Sequence, residues 1–321
     1  MPPVPAAIVD ALRDCCDRPA AVGVSGGRDS VALVRMLAAL GSRPLVVHVR
    51  HGLRDDHAEA AFVGELAREL DLPCVERAVT LDDPSRAVEE QARRLRYDAL
   101  FAAAAEHLPG GGILLTAHTR DDLVETVLHN LIRGTGLAGV AGFGGREQNG
   151  IVLTRPLLAV SRAELTAWLA EHGFDWRDDP TNQTAAFTRN RIRHELVPVV
   201  ESICPQAAAA IARFAATADQ VREHLDAEAA AAIAAATRDR QPDRVCLDRR
   251  LLASLSDAVR VAVFRQLWAG QHWPQRRMGY DHYTTLAQLA GPDAAPRTRL
   301  DLPAVRVTAT PTEIVCQRVR G

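Results

Sequence analysis

The run Ala20-Ala-Val-Gly-Val24, followed by Ser25-Gly-Gly-Arg-Asp-Ser30, decides the fold of this chain. The first part is short, apolar and rich in valine, which is typical of a buried parallel strand. Residues 31–40 then carry apolar side chains at helical spacing. A strand, a glycine turn and a helix in this order direct the unpaired N–H groups of the first helical turn at an anion. The stretch therefore predicts a phosphate-binding loop.

The composition of this loop separates it from other nucleotide-binding loops. Gly26 and Gly27 let the backbone approach a phosphate, and Ser25 and Ser30 can add hydroxyl donors. A Walker A loop needs a lysine after its glycines, but all 38 basic residues of the chain are arginines. The glycines also lack the spacing of a dinucleotide fingerprint. An ordinary glycine turn is the alternative that the loop alone leaves open.

Length and composition limit the class of protein. The chain has 321 residues, enough for two domains, and a hydrophobic content of 47% can fill a core. Its six cysteines lack metal-type spacing, so we expect reduced thiols. There is no apolar run long enough for a bilayer and no signal pattern at the N-terminus, so we expect a cytoplasmic protein.

The charge distribution is uneven, although the net charge is only −2. Residues 1–184 carry 19 arginines against 26 acidic residues, whereas residues 185–321 carry 19 against 14. The basic second half can present a phosphate-binding face to a nucleic acid. Arginines scattered over a solvated surface would give the same count, so charge alone leaves both readings open.

A second informative stretch follows the predicted strand 113–117. His118 comes first, and Asp121, Asp122 and Glu125 follow on a predicted helix. Residues three or four apart share a helical face, and this helix would begin at the carboxyl edge of the sheet, beside the loop. Carboxylates that complement the helix dipole are the alternative. Three carboxylates beside a histidine favour an ion or amine site.

The remaining features concern loops, arginines and domain organisation. The glycine-rich segment 134–150 predicts a mobile loop at the site. Three arginines at 189, 191 and 193 start a helix but cannot share one face, so solvent exposure and phosphate contact stay equally open. From about residue 206 the chain becomes alanine-rich and helical. A helix is predicted over 251–269 and another over 280–290, and three β-like segments end the chain (298–302, 304–308 and 313–319).

Several stretches, in this order, resemble the tRNA(Ile)-lysidine synthetase family, a branch of the PP-loop ATP pyrophosphatases. Each stretch is weak alone, but their order and spacing over about 180 residues are specific. The chain departs from the family pattern at Arg50, Thr119 and Leu123. The stretches are Ser25–Ser30, His48–Arg54, Glu89–Tyr97, Thr116–Thr126, Arg133–Leu137, Arg155–Leu158, Asp179–Asn182 and Arg189–Pro198.

The resemblance implies an α/β fold with a parallel-sheet PP-loop domain over residues 1–205. A helical linker and a small C-terminal α/β domain would occupy 206–321, which suits the family's short form. The implied reaction is ATP-dependent ligation of free lysine to the wobble cytidine of tRNA(Ile) with a CAU anticodon. It proceeds through an adenylated cytosine and releases pyrophosphate and AMP. The resemblance leaves a homodimer open.

The resemblance also implies roles for individual residues. Asp29 would bind magnesium together with ATP. The expected catalytic residues are Asp29, His118, Asp121, Asp122 and Glu125. The expected ATP contacts are Ser25, Gly26, Gly27, Arg28, Asp29, Ser30 and His51. The expected tRNA contacts are Arg93, Arg94, Arg189, Arg191 and Arg193.

Three other readings compete with this one. A related PP-loop enzyme could thiolate the tRNA base, but that branch commonly needs paired cysteines, and Cys15 and Cys16 lie on a predicted helix before the first strand. GMP synthetase has the same loop but needs a preceding amidotransferase domain. A non-catalytic nucleotide-binding regulator would account for the α/β half, but not for the carboxylates that follow His118.

Overall fold

A computed structural model describes residues 3–50, 57–80, 88–177, 188–275, 277–295 and 298–319. The chain divides into two compact units. The first holds Met1–Arg133 and Gly142–Ala215, and the second holds Gly134–Ala141 and Ala216–Gly321. The predicted domain boundary at 205/206 stays a prediction.

Strands and helices alternate along the first two hundred residues, as the opening strand–loop–helix pattern predicts. The strands are β1 (Ala20–Gly23), β2 (Leu45–Arg50), β3 (Cys74–Ala78), β4 (Gly112–Leu115), β5 (Glu147–Gln148) and β6 (Ile151–Thr154). The helices are α1 (Ala6–Cys16), α2 (Arg28–Ala39), α3 (His57–Glu69), α4 (Val88–His107), α5 (Arg120–Ile132), α6 (Leu137–Val140), α7 (Arg162–Glu171), α8 (Thr188–Arg191) and α9 (Val197–Ile203), with a π-helical turn (Ile192–Leu196) between the last two.

The six strands form one sheet in the order β3-β2-β1-β4-β6-β5. All neighbouring strands are parallel except β5, which pairs antiparallel with β6. The order reverses between β1 and β4, because the chain first builds outward on one side and then on the other. In open α/β sheets, ligands bind at the carboxyl ends of the strands at such a switch point. The loop after β1 and the helix after β4 therefore meet at the expected place.

The central strands of this sheet are buried on both faces, which explains why β1, β2 and β4 are largely apolar. Alternate residues of β1 point to opposite faces, so Val22 packs into one core and Ala21 into the other. The first core includes Val31, Leu33 and Leu37 of α2. On the opposite face, Tyr97, Leu100 and Phe101 of α4 cover the sheet. These two layers fix the strand ends from which the site residues emerge.

The second unit contains a five-stranded antiparallel sheet in the order β7-β8-β11-β10-β9. Trp268, Trp273 and Phe264 fill its core together with Val245 and Val307. The elements are α10 (Ala207–Ala236), β7 (Thr237–Gln241), β8 (Arg244–Asp248), α11 (Arg249–Ala253), α12 (Asp257–Gly270), α13 (Tyr280–Ala290), β9 (Thr298–Leu302), β10 (Val305–Ala309) and β11 (Glu313–Arg318).

The structure contradicts one local prediction and adds elements in two other places. The helix predicted over 251–269 is two helices, since Ser256 caps a new helix by accepting a hydrogen bond from Val259 N. The strands Thr237–Gln241 and Arg244–Asp248 were not predicted, because charged residues and the Pro242-Asp243 turn dominate that stretch. The loop predicted over 134–150 contains the short helix α6 and the strand β5.

Candidate active site

The loop after β1 has a shape that its own hydroxyl groups maintain. Ser30 Oγ donates to Gly27 O (2.8 Å) and accepts from Ser25 N (3.2 Å), while Gly27 N donates to Ser25 Oγ (3.3 Å). Gly26 has φ +86°, a conformation that favours glycine. Gly27 is the N-cap of α2, so the first turn of that helix opens toward the loop. The predicted donors thus lie together, and their contact with phosphate stays a prediction.

Arg28 is held by α7. Its Nη1 donates to Thr166 Oγ1 (3.0 Å), and its guanidinium lies 5.8 Å from the ring centroid of Trp176. The backbone of the same region is tied down as well, because Arg177 N donates to Gly26 O (3.0 Å). These contacts connect the loop to α7 and to the residues after it. They do not test the predicted contact of Arg28 with ATP.

Asp122 serves both the helix and the site. Its Oδ2 accepts hydrogen bonds from Thr119 N (2.9 Å) and Thr119 Oγ1 (3.0 Å), which closes a capping box at the start of α5. Its Oδ1 accepts from Arg162 Nη2 (2.8 Å). Helix capping therefore accounts for one oxygen of Asp122, and the ion pair with Arg162 accounts for the other.

Arg162 lies at the centre of the site, and the sequence analysis missed it. Its Nε donates to Asp29 Oδ2 (3.3 Å), its Nη1 lies 3.8 Å from Glu125 Oε1, and its backbone N donates to Asp121 Oδ2 (2.8 Å). All four predicted carboxylates therefore surround one residue. Ser161 and Glu164 form a capping box at the start of α7. The signal that could have found Arg162 is its position in the first turn of the helix that follows β6.

Arg193 is the second guanidinium of this cluster. It forms a bidentate pair with Glu125, with Nε to Oε1 at 2.6 Å and Nη2 to Oε2 at 3.0 Å, and it lies 3.6 Å from Asp122 Oδ1. Arg191, two residues earlier, instead pairs with Glu195 on the exposed side of the π-helical turn. The expectation that Arg189, Arg191 and Arg193 cannot share one face agrees with these two different environments.

Burial and neighbouring charges set the protonation of the carboxylates. Burial raises the pKa of Asp29, although Arg162 opposes it. For Asp122, burial alone would raise the pKa, but Arg162 and the hydrogen bonds from Thr119 outweigh it and lower the pKa. Burial also raises the pKa of Glu125, whose side chain is only 7% exposed. The side chains of Asp29, Asp122 and Glu125 face the guanidinium groups of Arg162 and Arg193, and when all three are ionised the cluster can take one more positive charge.

His118 borders the carboxylates as a neutral side chain. Its Nδ1 lies 3.1 Å from Thr116 Oγ1, and its ring centroid lies 4.7 Å from that of Phe143. Burial lowers its pKa to about 3, with help from Arg155, Arg93 and Arg96 and against the pull of Asp122. A histidine in this state does not supply a positive charge near neutral pH.

The other predicted residues lie in different surroundings. Arg93 is half-buried, with its guanidinium 5.2 Å from the ring centroid of Tyr97, and Arg94 is exposed. Arg189 is half-buried on α8. The predicted ATP contact His51 lies outside the described residues.

Asp29 carries the one feature of the described residues that suits a metal ligand. Its Oδ1 is buried and accepts no hydrogen bond from any described residue. A hard divalent cation such as magnesium takes oxygen ligands of this kind. Within the described parts of the chain, no group of three or more His, Cys, Asp or Glu side chains is placed to hold a metal ion. A cation at Asp29 would therefore take most of its ligands from a substrate and from water.

Among the described residues, no single helix has the length and apolar character needed to cross a membrane. One pair of segments, Thr188–Ile203 and Ala207–Ala236, passes the same test of length and composition only when both are counted together, and it is bent by 100°.

The glycine loop, the parallel sheet and the charged cluster at its switch point define a PP-loop nucleotide-binding protein. The family model of the PP-loop domain matches residues 5–200, which is more than half of the chain. The chain belongs to the PP-loop family, and this membership implies that the domain binds ATP.

Curated relatives of the chain identify a narrower family within the PP-loop proteins. The chain is 41% identical over 271 residues to a tRNA(Ile)-lysidine synthase of a Methylobacterium species, covering 79% of this chain and 76% of that protein. It is 44% identical over 219 residues to the tRNA(Ile)-lysidine synthase of Parabacteroides distasonis, covering 66% of this chain and 47% of that protein. The chain therefore belongs to the tRNA(Ile)-lysidine synthase family. It spans about half the length of several of the curated relatives that it matches.

A solved structure supports the fold. The U34-tRNA thiolase NcsA from Methanococcus maripaludis, determined with its [4Fe-4S] cluster, is similar with a TM-score of 0.53 and 16% identity. The match covers 65% of this chain and 77% of that chain. At this identity the likeness shows a shared PP-loop fold and carries no argument about the reaction.

Proposed function

We propose that this chain uses ATP to ligate free lysine to the wobble cytidine of tRNA(Ile) with a CAU anticodon, and that it acts as a ligase in the cytoplasm. The observation that carries the proposal is the cluster of Asp29, Asp122 and Glu125 beside the loop. Two arginines leave it one negative charge in excess. That excess suits an ammonium group next to the nucleotide. The names of the relatives support the tRNA and lysine substrates.

The first step transfers AMP to the base. The 2-oxo group of cytosine attacks the α-phosphorus of ATP, an oxygen–phosphorus bond forms, and the bond to pyrophosphate breaks. Backbone N–H groups at the start of α2, together with Ser25 and Ser30, would stabilise the charge that develops on the leaving pyrophosphate. Asp29 Oδ1 would hold magnesium, which supplies charge neutralisation on the phosphates when it is bound.

The second step forms the new carbon–nitrogen bond. The ε-amine of lysine attacks carbon 2 of the adenylated cytosine, and AMP leaves with the oxygen. Asp122, whose pKa is lowered, stays ionised and would hold the ammonium group. Glu125, whose pKa burial raises, is the better acceptor for the proton that the amine loses as it attacks. Asp121 would orient Arg162 through its backbone bond, and neutral His118 would border the nucleotide.

The tRNA contacts are also proposals. Arg93, Arg94, Arg189 and Arg191 have no role inside the carboxylate cluster, so they can contact phosphates of the tRNA. Arg193 is engaged by Glu125, and we assign it first to that carboxylate. A homodimer is compatible with this proposal but is not required by it.

The decisive experiment is incorporation of labelled lysine into a CAU-anticodon tRNA(Ile) transcript with ATP and magnesium. Asp29→Ala and Asp122→Ala should reduce incorporation by about 10²–10⁴-fold, as expected for residues that bind or move charge in the reaction. Asp10→Ala is the matched control, because Asp10 is an exposed carboxylate of α1 that lies 3.8 Å from Arg13.

Two other outcomes would separate the alternatives. Pyrophosphate release that depends on tRNA, without incorporation of lysine, would support the adenylation step. It would also show that lysine is not the nucleophile. It would favour a base thiolase, although Cys15 is buried on α1 and the pair Cys15–Cys16 lies before β1. Binding of ATP without tRNA-dependent release of pyrophosphate would favour a non-catalytic regulator.

A further inference from the structure

The carboxylates that the proposed function assigns to the substrate amine are already paired. Both oxygens of Asp122 are engaged, one by Thr119 and the other by Arg162. Both oxygens of Glu125 accept from Arg193. An incoming ammonium group therefore competes with a guanidinium for each of these side chains. Movement of one of the two arginines would open a carboxylate fully to the amine.

The two arginines differ in how firmly they are held. Arg193 makes two hydrogen bonds to one carboxylate, at 2.6 and 3.0 Å. Arg162 makes one short side-chain bond, to Asp122 at 2.8 Å, while its distances to Asp29 and Glu125 are 3.3 and 3.8 Å. A fork–fork pair such as that of Arg193 is the stronger arrangement. Arg162 contacts Asp29 beside the phosphate loop, whereas Arg193 contacts Glu125 and Asp122, so Arg162 is the guanidinium that a bound nucleotide can reach.

We propose that Arg162 is a positioning residue that occupies the amine site until ATP binds and then turns its guanidinium to the phosphates. This inference rests on the proposed function and deepens it, because it makes lysine binding depend on the nucleotide. The movement would free Asp29 Oδ2 and Asp122 Oδ1 together, since one guanidinium holds both.

The position of Arg162 supports this exchange. Its Nε contacts Asp29 in the first turn of α2, the turn that opens toward the phosphate loop. Guanidinium groups bind phosphate oxygens in the same forked geometry that they use for carboxylates. The backbone of Arg162 is fixed by Asp121 Oδ2 and by the capping box of α7, so only its side chain has to turn. That side chain is 20% exposed.

Movement of Arg162 changes the net charge of the carboxylate cluster. With Arg162 in place, the three carboxylates and two guanidinium groups carry one net negative charge. After Arg162 turns to the phosphates, the three carboxylates face Arg193 alone. The cluster then carries two net negative charges. The site then attracts the ammonium group of lysine more strongly. Lysine would accordingly bind after ATP, when a base can be activated.

The test measures how much a nucleotide changes lysine binding. Equilibrium dialysis with labelled lysine is run on the full chain with and without magnesium and a non-hydrolysable ATP analogue. In the wild type the analogue should tighten lysine binding at least about tenfold, within the usual range of coupling between two sites. In Arg162→Gln the ratio of the two affinities should fall to within about twofold of one.

Arg120→Gln is the matched control. Arg120 lies on α5, one residue before Asp121, and its side chain reaches Glu164 of α7 at 3.6 Å without contacting Asp29, Asp122 or Glu125. It should keep the wild-type ratio. A residue with a merely structural role would weaken both affinities together and leave their ratio unchanged. An unchanged ratio in Arg162→Gln would therefore overturn the proposal.

A second measurement is made on the wild type, and a variant is needed only to assign the signal. The Nε–H signal of Arg162 in an arginine side-chain NMR spectrum is identified by its loss in Arg162→Lys. In the wild type it should shift when the analogue and magnesium are added without lysine. A signal that does not move overturns the proposal. A signal that moves while lysine binds under no condition supports the exchange by Arg162 and contradicts the proposed amine substrate.

Discussion

Both units of this protein shield arginines from solvent, but with different partners. In the first unit, Arg162 faces Asp29, Asp122 and Glu125. In the second unit, Arg249 is 5% exposed and donates to four main-chain carbonyls, those of Gly291, Ala294, Ala295 and Thr310, at 2.8–3.3 Å. Arg260, also 5% exposed, donates to the carbonyls of Leu252, Ala253 and Leu255 and pairs with Asp257.

The difference teaches which buried charge can take part in chemistry. A carbonyl neither titrates nor changes partner easily, so Arg249 joins two segments of backbone, residues 291–295 and Thr310, and has a structural role. A carboxylate titrates and can exchange a guanidinium for a metal or an ammonium group. The burial of an arginine is therefore uninformative until its partners are known. The expected change in stability is largest at Arg249 and smallest at Arg306.

Arg249→Gln should lower the free energy of unfolding by about 3–5 kcal/mol, because it leaves several buried carbonyls without a donor. Chemical denaturation followed by tryptophan fluorescence measures this, since Trp268 and Trp273 lie in the core of that unit. Binding of the ATP analogue should be unchanged under conditions where the variant is folded. A loss below about 1 kcal/mol would mean that the carbonyls are satisfied in another way and that Arg249 is not structural.

His118→Gln should make stability less dependent on pH. The folded pKa of His118 is about 3, below its ordinary value of 6.5, so the unfolded chain binds this proton more readily. The stabilisation is present above pH 6.5 and is lost as the pH falls toward 3. Between pH 7 and pH 5 the wild type should lose about 1–2 kcal/mol more than the variant. Equal losses, measured by urea denaturation at both values, would show that His118 is not buried as a neutral group.

Gly26→Ala and Gly41→Ala compare the two ends of α2. Their φ angles are +86° and +84°, and a new Cβ would meet no atom closer than 3.4 Å at Gly26 and none within 4 Å at Gly41. Each variant should therefore lose about 1 kcal/mol through backbone strain alone. Only Gly26→Ala should also weaken binding of the ATP analogue, by about tenfold or more, because it distorts the loop. Normal nucleotide binding by Gly26→Ala in a calorimetric titration would remove the loop from the ATP site.

Arg306→Gln should have the smallest effect. Arg306 pairs with Asp301 across neighbouring antiparallel strands at 2.8 Å, and the two side chains are 41% and 58% exposed. Exposed pairs of this kind contribute less than about 1 kcal/mol. The expected change in unfolding free energy is therefore below about 0.5 kcal/mol, and added salt should reduce it further. A loss comparable to that of Arg249→Gln would show that exposure does not separate the two classes of arginine.

The sequence by itself determined the local geometry around the site. The apolar residues 20–24 and 31–40 predict a strand before Ser25-Gly-Gly-Arg-Asp-Ser30 and a helix after it, and the glycines permit the positive φ that Gly26 adopts. The spacing of Asp121, Asp122 and Glu125 likewise places them within two turns of one helix. The parallel sheet follows from the alternation of apolar runs and helices.

Only the tertiary structure decided which charges meet. Arg162 is 133 residues from Asp29 and 40 from Asp122 along the chain, and Arg193 is 68 from Glu125. The order β3-β2-β1-β4-β6-β5 brings the ends of β1, β4 and β6 to one edge, so residues after these strands become neighbours. Burial and the neighbouring guanidinium groups at that edge then shift the pKa values of Asp29, Asp122 and Glu125. Charge pairing of this kind is a long-range property, because solvent exposure and partner distance exist only once the chain has folded.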